Sequence, residues 1–218
     1  MEPPIHIIDF EGSRVSGILE YGVATVRGGG IEATHTRLCR PTGTITDRDR
    51  GHHGLSEAEC APEPPFSEDW AFFAGLRESG PLGAHNAAVE DGLLRAVWPY
   101  PRTSPDFLES GARVASWGPW VDTLWLYRRV YPDLADHSLG ALVRTFGMEG
   151  ELDGYARVAC PASRRTAHCA LYDALAAALL LLRLRREPGL DDRSVPWLLL
   201  QSAASAASYD AMEQRELF

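Results

Sequence analysis

The sequence has no excess of positive charge: 21 Lys and Arg stand against 30 Asp and Glu, a formal net charge of −9. Proteins that grip duplex nucleic acid along its backbone usually present surplus basic residues. Either nucleic acid is not the partner, or the chain handles only a short end and relies on metal ions or a tether. Membrane-length apolar runs are also missing. The strongest stretch, residues 174–182, is closed by Arg183, Arg185 and Arg186, far short of the roughly 20 residues that span a bilayer. No basic region followed by an apolar one opens the chain, so no secretory leader is expected. The cysteines Cys39, Cys60, Cys160 and Cys169 form no C-x-x-C pair, and reduced thiols in a cytoplasmic protein are the simplest reading. Cys169 falls on a helical pattern, where packing is its role. No internal repeat is present.

What the chain does have is an ordinary globular composition, 45% hydrophobic and 23% charged, at a length suited to one full core. Residues 5–10 read as a buried strand, and residues 19–26 and 31–39 as two more, joined by a glycine run at Gly28, Gly29 and Gly30. Residues 41–65, with four prolines, read as loop. Residues 66–78 have helical spacing, residues 81–84 form a short strand, and residues 87–98 a helix that Pro99 ends. Residues 102–117 look irregular. Helices are expected over residues 120–131, 137–146 and 167–186, and a linker over 188–194. This order argues for a mixed α/β sheet. Trp70, Phe72, Phe73 and Trp98 read as core.

Asp9 and Glu11 end the first strand, and residues two apart in a strand point to the same side. Adjacent buried anions repel, and a divalent metal removes that penalty; oxygen-only ligation suits Mg²⁺ or Mn²⁺. Alone, the pair is better explained as a solvated strand end. Further motifs follow in order: Gly83-Ala84-His85-Asn86-Ala87-Ala88-Val89-Glu90 running from strand to helix, Val121-Asp122-Thr123-Leu124 before a helix, and His168 to Ala174 opening the last long helix. Asn86 and Asp122 read mainly as braces and caps of these turns.

Taken together these motifs resemble the DEDD exonuclease superfamily, in its histidine-containing branch, over roughly residues 5–186. The resemblance implies an RNase H-like mixed sheet flanked by helices, and hydrolysis of phosphodiester bonds from the 3′ end of DNA. RNA is the alternative substrate. It implies two metal ions held by Asp9, Glu11, Glu90 and Asp173, with His168 as general base. His168 and Asp173 lie five residues apart, about 500° of helical turn, so both serve one site only if His168 sits before the helix proper. Where the family has F-D, this chain has Val89-Glu90 and then Asp91, so Glu90 or Asp91 is the ligand; gapless alignment favours Glu90. The usual T-T-G is replaced by Gly12-Ser13-Arg14. Phe10, Gly12, Ser13, His53 and Asn86 are the substrate-binding candidates. A catalytically weak adaptor is the rival reading.

The chain finishes Gln214-Arg215-Glu216-Leu217-Phe218, similar to the peptides that dock bacterial enzymes into the sliding clamp. Gln214, Leu217 and Phe218 would make that contact, within an extension (187–218) behind an exonuclease domain (1–186). Such a tether would raise local concentration without basic surface.

Overall fold

In the computed structural model, which describes residues 2–191 and 193–204, the first apolar run continues past its acidic end. Strand β1 (Ile5–Ser13) pairs antiparallel with β2 (Gly17–Arg27), and β2 with β3 (Gly30–Leu38). Gly28 and Gly29 make the turn at φ 57° and 86°, backbone that residues with a Cβ rarely adopt. Strand β4 (Leu82–Ala84) runs parallel to β1. The irregular stretch after it contains a small ribbon of β5 (Ser104–Pro105) and β6 (Arg113–Val114). Strand β7 (Val121–Asp122) then pairs parallel with β4, giving a mixed sheet of order β3-β2-β1-β4-β7.

The helices depart from expectation in four places. Residues 41–65 hold two short helices, α1 (Asp47–His53) and α2 (Glu57–Cys60). Thr46 caps the first, and a Ser56/Glu59 capping box starts the second, so local caps outweigh the prolines around them. Residues 66–78 divide into a 3₁₀ turn (Phe66–Asp69) and α3 (Trp70–Ser79). After α4 (Ala88–Val97), residues 120–131 open as strand rather than helix. Buried Val121 pairs with Gly83, and α5 (Thr123–Val130) begins only where Asp122 accepts the Leu124 N–H. After α6 (Leu139–Thr145) comes an unexpected α7 (Glu149–Ala159), whose Gly150 and Gly154 weaken its helical signal.

Helix α8 (Ala170–Leu184) buries 12 of its 15 residues, and each buried leucine contributes roughly 1.5–3 kcal/mol. Helix α9 (Val195–Gln201) adds Val195, Leu198 and Leu199 to the same core, and Ser202 Oγ accepts the Asp122 N–H at 2.7 Å. The boundary expected after Arg186 therefore runs between helices that share one core. Among the described residues no helix is long and apolar enough to cross a membrane.

Strand alternation divides the core in two. Ile8, Phe10, Tyr21 and Val23 face α3 and α4, with Phe66, Phe73 and Trp98. Ile5, Ile7, Ala24 and Val26 face α8. Along that second face the cross-strand partners are Ile5 with Val26, Ile7 with Ala24, Asp9 with Gly22, and Glu11 with Glu20. One face thus changes from apolar to acidic along its length, and α8 begins over the acidic end.

Candidate active site

Gly22 explains how α8 comes so close. A Cβ there would lie 2.3 Å from the Leu171 backbone, so only glycine admits this approach. Asp173, in the first turn of α8, is thereby lowered toward Asp9, the cross-strand partner of Gly22. Glu90, in the first turn of α4, reaches the same place from the other side of β1 and accepts a hydrogen bond from the Phe10 N–H. His168 lies two residues before α8 at φ 63°, outside the helix as the spacing requires. Its N–H donates to Asp173 Oδ2 at 2.9 Å. Ligating atoms of Glu11, His168 and Asp173 all fall within 4.8 Å of one another.

The electrostatics of this cluster are those of anions crowded out of water. Burial, then the carboxylates of Glu90, Asp173, Glu11 and Glu20, hold the Asp9 pKa well above its usual value. Burial and the neighbouring Asp173 and Glu20 push Glu11 up to about 8, against the opposing pull of Arg164. Glu90 is pushed to about 8, chiefly by burial, and Asp173 to about 6, again by burial, with the His168 N–H working the other way. Among the described residues Glu90 Oε2 is buried without a hydrogen-bond partner. Four clustered carboxylates, one with an orphaned oxygen, fit a hard divalent cation as donor set.

Asp91 points elsewhere. Its Oδ1 accepts the Trp120 indole N–H at 3.0 Å and its Oδ2 pairs with Arg95 at 2.6 Å. The substrate-binding candidates also make the following contacts within the fold. Phe10 keeps its ring in the core against Phe66 and Phe73. Gly12 sits at a bulge, where a Cβ would meet Gly17 O at 2.2 Å. Ser13 Oγ donates to Asp49 Oδ2 at 3.1 Å, tying β1 to α1. Asn86 adopts φ 73°, and its N–H and that of Ala87 both donate to Asp122, at 3.0 and 2.9 Å. Asp122 so braces one turn and caps the next helix. Half-buried His85 is held by Thr123 Oγ1 and the His137 carbonyl. His53 is buried, with Nδ1 accepting the Leu55 N–H and Nε2 without a partner among the described residues.

Three residues were not foreseen. His52 packs its ring on that of His168, centroids 3.9 Å apart. Glu20 lies buried opposite Glu11, and Arg164 pairs with it. A glutamate in an apolar strand, in phase with inward Ala24 and Val26, was the available signal for Glu20. An open cleft of about 520 Å³ adjoins the cluster, lined by His168, Asp173, Tyr172 and Arg144 among others.

The fold that positions these residues is shared with solved structures. The chain is similar to Exonuclease X in complex with 5′ overhanging duplex DNA, with TM-score 0.60 and 25% identity over 95% of this chain and 98% of that one. It also superposes on E. coli Exonuclease I in complex with a dT13 oligonucleotide, with TM-score 0.68 and 14% identity over 96% of this chain and 46% of that one. The fold is that of the DEDD-type 3′-exonucleases. A 3′-exonuclease described in 3′-end specific recognition of a histone mRNA stem-loop shares it, at TM-score 0.64 and 16% identity, covering 88% of this chain and 85% of that one. In sequence, the chain is 22% identical over 173 residues to a DNA polymerase III PolC-type protein of Streptococcus suis (strain 98HAH33). That match covers 78% of this chain and spans 11% of the relative's length. No family profile matches the chain.

Proposed function

We propose that this chain is a metal-dependent 3′–5′ exonuclease that removes nucleoside 5′-monophosphates from the 3′ ends of DNA. The observation that carries the reading is the acidic end of the β1–β2 face, with Glu90 on one side and the Asp173–His168 turn on the other. Asp9, Glu11, Glu90 and Asp173 would hold two Mg²⁺ or Mn²⁺ ions. Bound there, the ions supply charge stabilisation for the attacking water and the departing 3′ oxygen. His168 stays outside the ligand set, because hard cations favour oxygen donors.

The chain's own residues then have separable tasks. The adjoining cleft admits a strand end and leaves His168 exposed at its wall. The imidazole accepts one proton from a water whose oxygen attacks the terminal phosphorus; the bond from phosphorus to the 3′ oxygen breaks, and that oxygen takes a proton from solvent to become the 3′ hydroxyl of the shortened strand. Asp173 fixes the histidine backbone through its N–H. Glu90 rather than Asp91 serves the second motif, since Asp91 is committed to Trp120 and Arg95.

DNA is favoured as substrate because the neighbours bound to DNA include the one that matches over nearly its whole length. Residues 214–218 would dock in a bacterial sliding clamp through Gln214, Leu217 and Phe218; they lie outside the described residues. Four free, buried cysteines accord with a reducing compartment, and we place the protein in the cytoplasm.

The test is degradation of 5′-labelled single-stranded DNA, duplex DNA and RNA in parallel. A ladder shortening from the 3′ end with Mg²⁺ or Mn²⁺, abolished by chelator, is expected. No shortening of any of them with either metal would refute the assignment, and RNA alone would shift it to an exoribonuclease.

A further inference from the structure

His168 carries a side chain on left-handed backbone, a conformation that persists in residues with a Cβ only where surroundings impose it. Asp173 holds its N–H. Its carbonyl is met from the other side by Arg164 Nη2 at 3.4 Å. The same guanidinium donates from Nε to Glu20 Oε1 at 3.2 Å, from Nη2 to Glu20 Oε2, and from Nη1 to the His53 carbonyl at 2.8 Å. Glu20 Oε2 also accepts the N–H of Ala170, the first residue of α8, at 3.1 Å. Both side chains are largely buried, at 14% and 3% exposure for Arg164 and Glu20, so solvent competes little for these bonds.

One planar fork therefore spans three pieces of chain: β2, the end of α1, and the turn that carries His168. The two carbonyls it holds belong to His168 and to His53, the neighbour of His52. The rings of His52 and His168 lie in contact. Neutralising Glu20 alone would need neither carbonyl. We propose that Arg164, seated on Glu20, is a positioning residue that sets the two imidazoles against each other beside Glu11 and Asp173. The inference rests on the exonuclease reading for the consequence it has on turnover, and on geometry alone for the histidine contact. Arginine is required because its donors sit in a fixed plane; a lysine offers one point charge, which can face Glu20 but not both carbonyls.

The test uses Arg164→Lys in the full chain, with Glu20→Gln as the second variant should the first not fold. Arg164→Lys is expected to lower kcat on a short oligonucleotide by about 100-fold, as misplacement of a reacting group does, with KM little changed. In a His168→Ala background the same replacement should cost less than about twofold, because the pathway it serves is already gone. Without metal or substrate, the NMR contact between the His52 and His168 rings should be present in the wild type and lost in the variant. An equal fold-loss in both backgrounds, or an unchanged ring contact, would overturn the proposal. Should the wild type prove inactive on every nucleic acid tried, the exonuclease reading fails, while the ring contact still decides the positioning.

Discussion

Replacing Glu90 by glutamine should make the metal-free protein more stable and the enzyme far less active. Burial and like charges raise this carboxyl from 4.5 to about 8, so the folded chain holds its proton more tightly than the unfolded chain does. The stabilisation is complete below the unfolded value and is lost as pH rises through the folded one. Each pH unit of displacement is worth about 1.4 kcal/mol, so ionised Glu90 opposes the metal-free fold by roughly 3–5 kcal/mol. Glutamine keeps the shape and never ionises. At about pH 9 in chelator, Glu90→Gln should therefore melt roughly 10 °C above wild type, at 2–4 °C per kcal/mol for a chain of this size. At about pH 4, below the unfolded value, where the carboxyl is neutral in the folded and the unfolded chain alike, the two should nearly coincide. Millimolar Mg²⁺ or Mn²⁺ should raise the wild-type Tm much more than the variant's. Differential scanning fluorimetry across pH, with and without metal, reads all of this. A variant that melts below wild type at high pH, with an undiminished metal shift, would refute the reasoning and remove Glu90 from the cluster.

Asp91→Asn is the matched control: it disturbs a half-exposed ion pair worth about 0–1 kcal/mol and should leave exonuclease rates near wild type. Asp9→Ala should abolish strand shortening while circular dichroism shows an intact fold, and retained activity would exclude it from the site. His168→Ala should lose about 10²–10⁴-fold in turnover with its metal-induced Tm rise preserved. Gly22→Ala should destabilise the protein by roughly 1–3 kcal/mol and impair catalysis together, since its Cβ meets backbone of α8. A peptide of the last residues should bind a purified bacterial clamp, and Leu217→Ala with Phe218→Ala should abolish that binding while hydrolysis of short oligonucleotides stays unchanged.

The sequence made the ladder legible because strand alternation is a rigid rule: Asp9 and Glu11 share a side whatever else the chain does. Rotation per residue required His168 to precede its helix only if it shares a site with Asp173; the helical pattern itself was read from residue 167, and the helix begins at Ala170. Glu90 was separated from Asp91 only by alignment on flanking anchors, and its burial gives that choice a physical basis. What stayed hidden depends on distance along the chain. Glu20 and Arg164 are 144 residues apart, and no periodicity links a strand residue to a guanidinium in a distant turn. His52 was unreadable for the same reason, since its contact with His168 exists only once α1 and the turn before α8 are docked. The strand at Val121 was misread as helix because a two-residue strand has no period of its own.

The bond from Ala170 to Glu20 closes a loop of 150 residues. On a ribosome, β1 and β2 emerge early, and their acidic end faces nothing until α8 has been made. Long-range closures of this kind form late, because the chain between must first be ordered. A half-made chain therefore carries Asp9 and Glu11 without Asp173 or His168, and the acidic cluster is assembled only once α8 has been made.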